Sequence, residues 1–173
     1  MILSKLHQEN ILLNPKISPT QIYESRNKLS KSFLITAEQK QIFDQIRVLD
    51  LSGNERVRVN FNQGKPVIVP DSKLQNKSQR YWFERGISLN KGEIFISPMD
   101  LNVEGGKIEQ PLKPTIRFVT PIFDDGKRQG MIVLNYFAQD LLNKLGQEKT
   151  TTIGNTFLLN AQGYWLKSTK PQD

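Results

Sequence analysis

The chain has 173 residues, of which 37% are hydrophobic, 9% aromatic and 24% charged. Aromatic residues are too frequent for wholesale disorder, and no run approaches the roughly 18 apolar residues that a membrane-spanning helix needs. The formal net charge is +7, from 24 Lys and Arg against 17 Asp and Glu. Basic residues never cluster beyond a neighbouring pair and acids are interleaved throughout, which argues against nucleic acid as a partner.

Cysteine is absent, so disulfides, thiolate catalysis and cysteine-ligated metals are excluded. The single histidine, His7, cannot by itself build a zinc site or a Ser-His-Asp triad. The N-terminal stretch MILSKLHQENILLNP lacks the continuous apolar core and the small-residue cleavage site of a secretory signal. It starts in mid-pattern, and the chain stops just after a fresh hairpin signal, so a segment cut from a larger membrane protein is expected.

In chain order, Ser18-Pro19 with Gln21 reads as a helix start: a serine cap, proline at the first helical position and glutamine three residues after the cap. Ile22, Leu29 and Phe33 recur at near-helical spacing, predicting a helix from Pro19 to Thr36. From Ile42 the period becomes two. Ile42, Ile46 and Val48 share a face, as do Val57, Val59 and Phe61, and Gly53 supplies the turn between them. Arg56 and Arg58, alternating with these valines, read as the wet face of a strand. Ser72 with Gln75 predicts a second helix carrying Leu74, Ser78, Tyr81, Trp82 and Phe83 and ending near Gly86. A short strand is expected over Glu93–Ser97, and Pro98–Pro114 reads as an irregular loop of a length that is more often functional than idle. Thr115–Phe123 and Gly130–Phe137 flank Asp124-Asp125-Gly126 as a central antiparallel hairpin, followed by a short helix over Ala138–Leu145. Finally, Leu158-Leu159-Asn160-Ala161-Gln162-Gly163 echoes Val48-Leu49-Asp50-Leu51-Ser52-Gly53, suggesting the start of a second copy of the module. The fold class is α+β, an antiparallel sheet of about five strands with flanking helices and a long N-terminal helix.

Four segments in order, QIRVLDLSGNERVRVN, LQNKSQRYWF, LNKGEIFISPMDLNVEGGKIE and PTIRFVTPIFDDGKRQGMIVLNYF, resemble the extracytoplasmic sensor region of bacterial transmembrane receptors. The type is the double Cache (PDC, PAS-like) domain, in the subgroup found in front of histidine kinases and diguanylate cyclases. The resemblance runs from Gln41 to Leu145. It implies a helical segment over 1–40, a membrane-distal PAS-like module over 41–150 and the opening of a truncated second module over 151–173. It also implies a periplasmic or extracellular location, attached to the membrane through flanking helices of the parent protein.

The strongest constellation is Arg80-Tyr81-Trp82 with Phe95, Ser97, Asp100 and Arg117. A small polar ligand needs a charged partner, an aromatic wall and an opposing polar group. Arginine offers a planar fork to a carboxylate, the aromatics offer apolar area with a polar tip, and an aspartate receives an ammonium or hydroxyl. Related modules hold a carboxylate with an arginine and aromatics on the helix before the third strand, and an amine with a later aspartate; the resemblance places Arg80, Trp82 and Asp100 in those roles. Asn135 and Tyr136 are candidate floor and wall residues. Plainer roles stand beside these: an Arg80–Glu84 ion pair one helical turn apart, core packing for the aromatics, loop capping for Asp100. Asp100, Asn102 and Glu104 alternate as oxygen ligands would, but the glycine and distal glutamate of an EF-hand are out of register and the positive charge disfavours a cation, so no metal or other cofactor is expected. Paired carboxylates occur only in the turn Asp124-Asp125, so no catalytic role is expected. The function implied is a sensor that binds a carboxylate or amino-acid-like small molecule. The alternative is a ligand-free structural module that forms a homodimer through the helix from Pro19.

Overall fold

A computed structural model describes residues 18–62, 64–147, 157–161, 163 and 165–168; His7 lies outside them. Helix α1 (Pro19–Lys40) begins as its cap signal requires. The Ser18 hydroxyl accepts from the Gln21 backbone N–H at 3.3 Å, and Gln21 Oε1 accepts from the Ser18 N–H at 3.4 Å, so two orphan donors are satisfied reciprocally. The helix runs past Thr36 because Ala37 continues the i, i+4 stripe of Leu29 and Phe33, and all three are buried. It ends at Gln41, whose left-handed backbone (φ 53°) turns its N–H onto the Ala37 carbonyl.

Strands β1 (Phe43–Asp50) and β2 (Glu55–Asn62) form the predicted antiparallel hairpin, with Ile46 opposite Val59 and Val48 opposite Val57. Ile42 falls just before β1 and is 43% exposed. Asp50 shapes the turn by accepting from the N–H groups of Ser52 and Asn54, each at 2.9 Å. Gly53 is required there twice over: its φ is +82°, and a Cβ would lie 2.6 Å from the Ser78 nitrogen. Strand β3 (Lys65–Ile68) follows.

The second predicted helix is largely absent. Asp71–Lys73 makes one 3-10 turn, and helix α2 spans only Tyr81–Ile87. The intervening donors are taken by the β1–β2 turn instead. The Gln75 N–H goes to the Glu55 carboxylate at 3.0 Å and the Lys77 N–H to the Gly53 carbonyl at 2.7 Å, while the Asn76 side-chain amide donates to the Ser52 carbonyl at 2.9 Å. A backbone committed to these partners cannot make i to i−4 bonds.

Strand β4 (Phe95–Ile96) leads into a segment that is less irregular than expected. It carries β5 (Asp100–Leu101), then a small hairpin of β6 (Val103–Glu104) and β7 (Lys107–Ile108) turned by Gly105-Gly106. The long central hairpin is β8 (Pro114–Asp124) and β9 (Lys127–Phe137). Helix α3 (Gln139–Gln147) follows, and β10 (Phe157–Leu159) pairs with β11 (Trp165–Ser168) in the expected terminal hairpin.

These elements form two compact units. The first comprises the described residues up to Ser97 together with Arg117–Tyr136. Its antiparallel sheet has the order β3-β2-β1-β9-β8-β4. Helix α1 covers one face, where Leu29, Phe33 and Ala37 pack on Ile46, Val48, Val57, Val59, Ile122 and Ile132. Helix α2 covers the other, where Trp82 and Phe83 pack on Leu49, Val119, Met131 and Val133. The second unit comprises Pro98–Ile116 and the described residues from Phe137 on. Within it β5 pairs with the start of β8, Asp100 opposite Thr115.

Candidate ligand site

Strand alternation dictates what lies beneath α2. Because Ile46 and Val48 face α1, Gln45, Arg47 and Leu49 face the other way. Across β9 these three sit opposite Asn135, Val133 and Met131, and across β2 Gln45 and Arg47 sit opposite Asn60 and Arg58. Arg58 is therefore not on a wet face. It is only 6% exposed, because the segment leading to α2 closes over it, and the expectation for that residue is corrected accordingly. A bulge in β2 adds an acid to this face. Val57 is opposite Val48 and Glu55 opposite Leu49, so Arg56 is the extra residue and Glu55 is turned away from the side that Val57 occupies.

Glu55 is completely enclosed by cations and backbone. Its carboxylate lies 3.4 Å from Arg47 Nη1 and 3.0 Å from Arg58 Nη1, and accepts the Gln75 N–H at 3.0 Å. Arg47 extends from this cluster to Trp82, its guanidinium carbon 5.8 Å from the ring centroid. Arg117 approaches the same ring at 6.0 Å. All three residues are at most 1% exposed. Cation–π attraction falls in this distance range and strengthens away from water. The indole Nε1 has no hydrogen-bond partner among the described residues, and neither has Asn60 Oδ1. A buried N–H donor left without an acceptor costs stability unless something supplies one.

Trp82 is held in place by both ends of α2. Upstream are the bonds to the β1–β2 turn described above. Downstream, Arg128 stacks on Phe123 at 4.9 Å and donates to the Leu89 carbonyl at 2.5 Å, just past the helix end. Arg117 is fixed by β8 and by Ser97, whose hydroxyl accepts the Arg117 N–H at 2.8 Å and whose own N–H bonds the Arg117 carbonyl.

Of the residues singled out from sequence, the structure brings together Trp82, Ser97, Arg117 and Phe95, the last packed against the Trp82 cluster. Asn135 lies on the same face, its amide donating to Gln45 Oε1 at 3.0 Å. Arg80 is the residue before α2 rather than within it, its carbonyl accepting the Glu84 N–H. Tyr81 is 41% exposed. Tyr136 is opposite Phe43 and half-buried. Asp100 belongs to the second unit. Sequence reasoning missed Gln45, Arg47, Glu55, Arg58 and Asn60. Their signal was available in the alternation of Gln45 and Arg47 with Ile46 and Val48, once a helix on each side makes both faces interior.

Chemically, the face is rich in donors and positive charge. Among the described residues the buried charged side chains are Asp44, Arg47, Glu55, Arg58, Lys77 and Arg117, four cations against two anions. Burying charge is costly unless it is compensated, and Glu55 compensates Arg47 and Arg58 directly. No helix among the described residues is long and apolar enough to cross a membrane.

Comparison with known proteins gives a consistent picture. The family described as bacterial histidine kinase, sensor domain, matches residues 3–173. A domain of a protein assigned to the sensory box/GGDEF family of Vibrio parahaemolyticus is 26% identical, with a TM-score of 0.74 over 97% of this chain and 63% of that one. The extracellular domain of a protein described as the histidine kinase vpHK1S-Z8 is also 26% identical, with a TM-score of 0.73 over 97% of this chain and 60% of that one. The ligand-binding domain of the Campylobacter jejuni chemoreceptor Tlp3, solved with 4-methylisoleucine, shares the fold at 18% identity, with a TM-score of 0.65 over 97% of this chain and 60% of that one. The chain thus spans less than two thirds of the length of these solved relatives. No curated protein sequence matches this one.

Proposed function

This chain belongs to the bacterial histidine kinase sensor-domain family, and we propose that it binds a small organic carboxylate, amino acids included, against Trp82 on the polar face of its sheet. The observation that carries this reading is the pair of guanidiniums, Arg47 and Arg117, at 5.8 and 6.0 Å from one buried indole whose N–H has no partner among the described residues. A carboxylate supplies that acceptor and is a favourable neighbour for guanidinium groups. The amino acid bound by the Tlp3 domain supports the ligand class. Ser97, Phe95 and Asn135 line the same face in this reading; Arg80, Tyr81 and Tyr136 lie at its rim.

The reading extends to the parent protein. The chain is the extracytoplasmic part of a membrane receptor, with a distal module over 41–150 and the opening of a second over 151–173, and the output is a histidine kinase. Support comes from the family match and from the 63% and 60% shares of the two relatives. Signalling requires that ligand distinguish two states by affinity. A route is present: Arg26 of α1 forms a two-pronged ion pair with Asp71, at the start of the segment that leads to α2. A second reading, a homodimer through α1, is favoured by Tyr23 and Ile35, which stay 65% and 50% exposed on that helix.

Thermal melts with valine, propionate, succinate and acetate test the ligand reading. A ligand at about a hundredfold excess over its Kd stabilises by about 2.7 kcal/mol, a rise of roughly 5–10 °C in a domain of this size. Arg117→Met should fold and lose that rise. If none of the four probes moves the wild-type melt, the carboxylate reading fails.

A further inference from the structure

We propose that Asn60 makes the site selective for α-amino acids, its Oδ1 accepting a hydrogen bond from the ligand's ammonium group. This inference rests on the carboxylate reading above and adds a partner for the other end of the molecule. Val57 and Val59 belong to the cluster under α1, so Arg58 and Asn60, alternating with them, face α2. Asn60 is opposite Gln45, and Gln45 is opposite Asn135, so amides from β2, β1 and β9 cross the sheet in a row. One pleat away, about 7 Å along the strands, Arg58, Arg47 and Val133 form the next row, and Arg47 continues to Trp82. Within the amide row Gln45 Oε1 is taken by the Asn135 amide at 3.0 Å. Asn60 Oδ1 is enclosed and has no hydrogen-bond partner among the described residues.

An enclosed acceptor without a donor costs stability, which a ligand restores by supplying one. Trp82 Nε1 is the converse case, a donor without an acceptor. One face thus holds both kinds of unmet group, and an α-amino acid carries the complementary pair on a single carbon. Two hydrogen bonds of about 2.9 Å with that short backbone between them span roughly 8 Å, the scale of one pleat. The neighbouring charge permits an ammonium beside Asn60. Arg58 directs its guanidinium to Glu55, three residues back in the chain and 3.0 Å away, and that carboxylate balances it. Burial also grades across this corner of the sheet. Val69 is buried beside Arg58, its N–H on the Arg58 carbonyl at 2.9 Å, whereas Val67, opposite Asn60, is 49% exposed. The face is closed at the arginine row and open beside the amide row, where a small polar molecule can enter.

The test titrates valine and isovalerate calorimetrically into the wild type, Asn60→Leu and Asn60→Asp. The two compounds share a carbon skeleton and a carboxylate and differ only in the α-amino group. The wild type should bind valine about tenfold more tightly, the worth of one charge-assisted hydrogen bond. Asn60→Leu removes the acceptor at similar volume. It should bring the two affinities level, while the ligand-free melting temperature holds or rises because no hydrogen bond of Oδ1 is lost. A purely structural Asn60 predicts the reverse, a lower melting temperature and an unchanged ratio. Asn60→Asp keeps an acceptor and adds charge, so the valine-to-isovalerate ratio should exceed that of the wild type. Equal affinities in the wild type, a ratio that survives Asn60→Leu, or one that does not rise in Asn60→Asp overturns the proposal while leaving the carboxylate reading in place. Failure of the wild type to bind either compound removes that reading, and this proposal with it.

Discussion

The two faces of the sheet in the first unit are built from the same strands and do opposite things. Toward α1, the packed cluster is aliphatic and aromatic: Leu29, Phe33 and Ala37 on the helix, Ile46, Val48, Val57, Val59, Ile122 and Ile132 on the strands. Toward α2, the apolar contact of Trp82 and Phe83 with Leu49, Val119, Met131 and Val133 is bordered by Arg47, Glu55, Arg58, Arg117 and the Gln45–Asn135 pair. The first face gains from burial without directional demands. The second bears the cost of desolvated charge and is stabilised only as its partners fit. Because residues alternate, each strand contributes to both at once, and the apolar face can offset the expense of the polar one. In the proposed reading, a ligand face under a short, pinned helix and an apolar core under a long one separate what must respond from what must be robust.

That division can be broken from its stable side first. Phe33→Ala removes a buried ring from the α1 face and should cost about 3–5 kcal/mol, read as a shift in urea midpoint at unchanged slope. Its ligand affinity, measured where the protein remains folded, should stay near that of the wild type. A loss of affinity as large as the loss of stability would show that the faces are not independent. Next comes Gly86, where α2 touches the sheet. A Cβ there would lie 2.5 Å from Val119 Cγ1 and 3.0 Å from Met131 Sδ. Overpacking costs about 1–3 kcal/mol, while alanine gains about 1 kcal/mol over glycine in a helix. Gly86→Ala should therefore be destabilised by about 1 kcal/mol net, at most about 2, and, because the helix must lift, should bind ligand more weakly. A stability equal to the wild type would mean that Val119 yields freely.

Trp82→Phe sharpens the comparison further. It deletes an N–H that has no partner among the described residues and keeps an aromatic face for the two guanidiniums. The stability cost should be about 1 kcal/mol, from lost ring area, whereas carboxylate affinity should fall about tenfold, the worth of one charge-assisted hydrogen bond. Unaltered affinity would remove the indole N–H from the proposed site.

The elements that could be read from sequence are those governed by neighbours in the chain. Ser18, Pro19 and Gln21 announce a helix start and make one; Asp124-Asp125-Gly126 sits between two runs that become β8 and β9. The same local signal misled at Ser72 and Gln75, because Glu55, Gly53 and Ser52 compete for that segment's polar groups across twenty or more residues of chain. Arg58 was read as solvated because an alternating pattern looks alike whether its second face meets water or another helix. Glu55 was invisible for a different reason: its orientation depends on one extra residue in β2, and a bulge leaves little trace in composition. Trp82 and Arg117 were singled out for their chemistry, an aromatic surface and a planar cation, which does not depend on register.

The smallest effect expected lies at the surface beside the roof helix, in the turn between α2 and β4. Glu93 is fully exposed, yet its carboxylate accepts the Asn90 backbone N–H at 2.6 Å and the Asn90 amide at 3.2 Å. These bonds favour the ionised form and hold the Glu93 carboxyl below its ordinary value of 4.5. A carboxyl depressed in the folded state contributes stability above the unfolded value and loses it as the pH falls through the folded one. The difference in urea midpoint between wild type and Glu93→Gln should therefore be small and constant above pH 4.5, and shrink below it. A Glu93 carboxyl that titrates by NMR at or above 4.5 would show that the turn does not hold it, and that solvent at this exposed site outweighs two short hydrogen bonds. The buried Glu55 cannot be probed this way without disturbing both arginines, so the exposed glutamate isolates what hydrogen bonding alone does to a carboxylate in this protein.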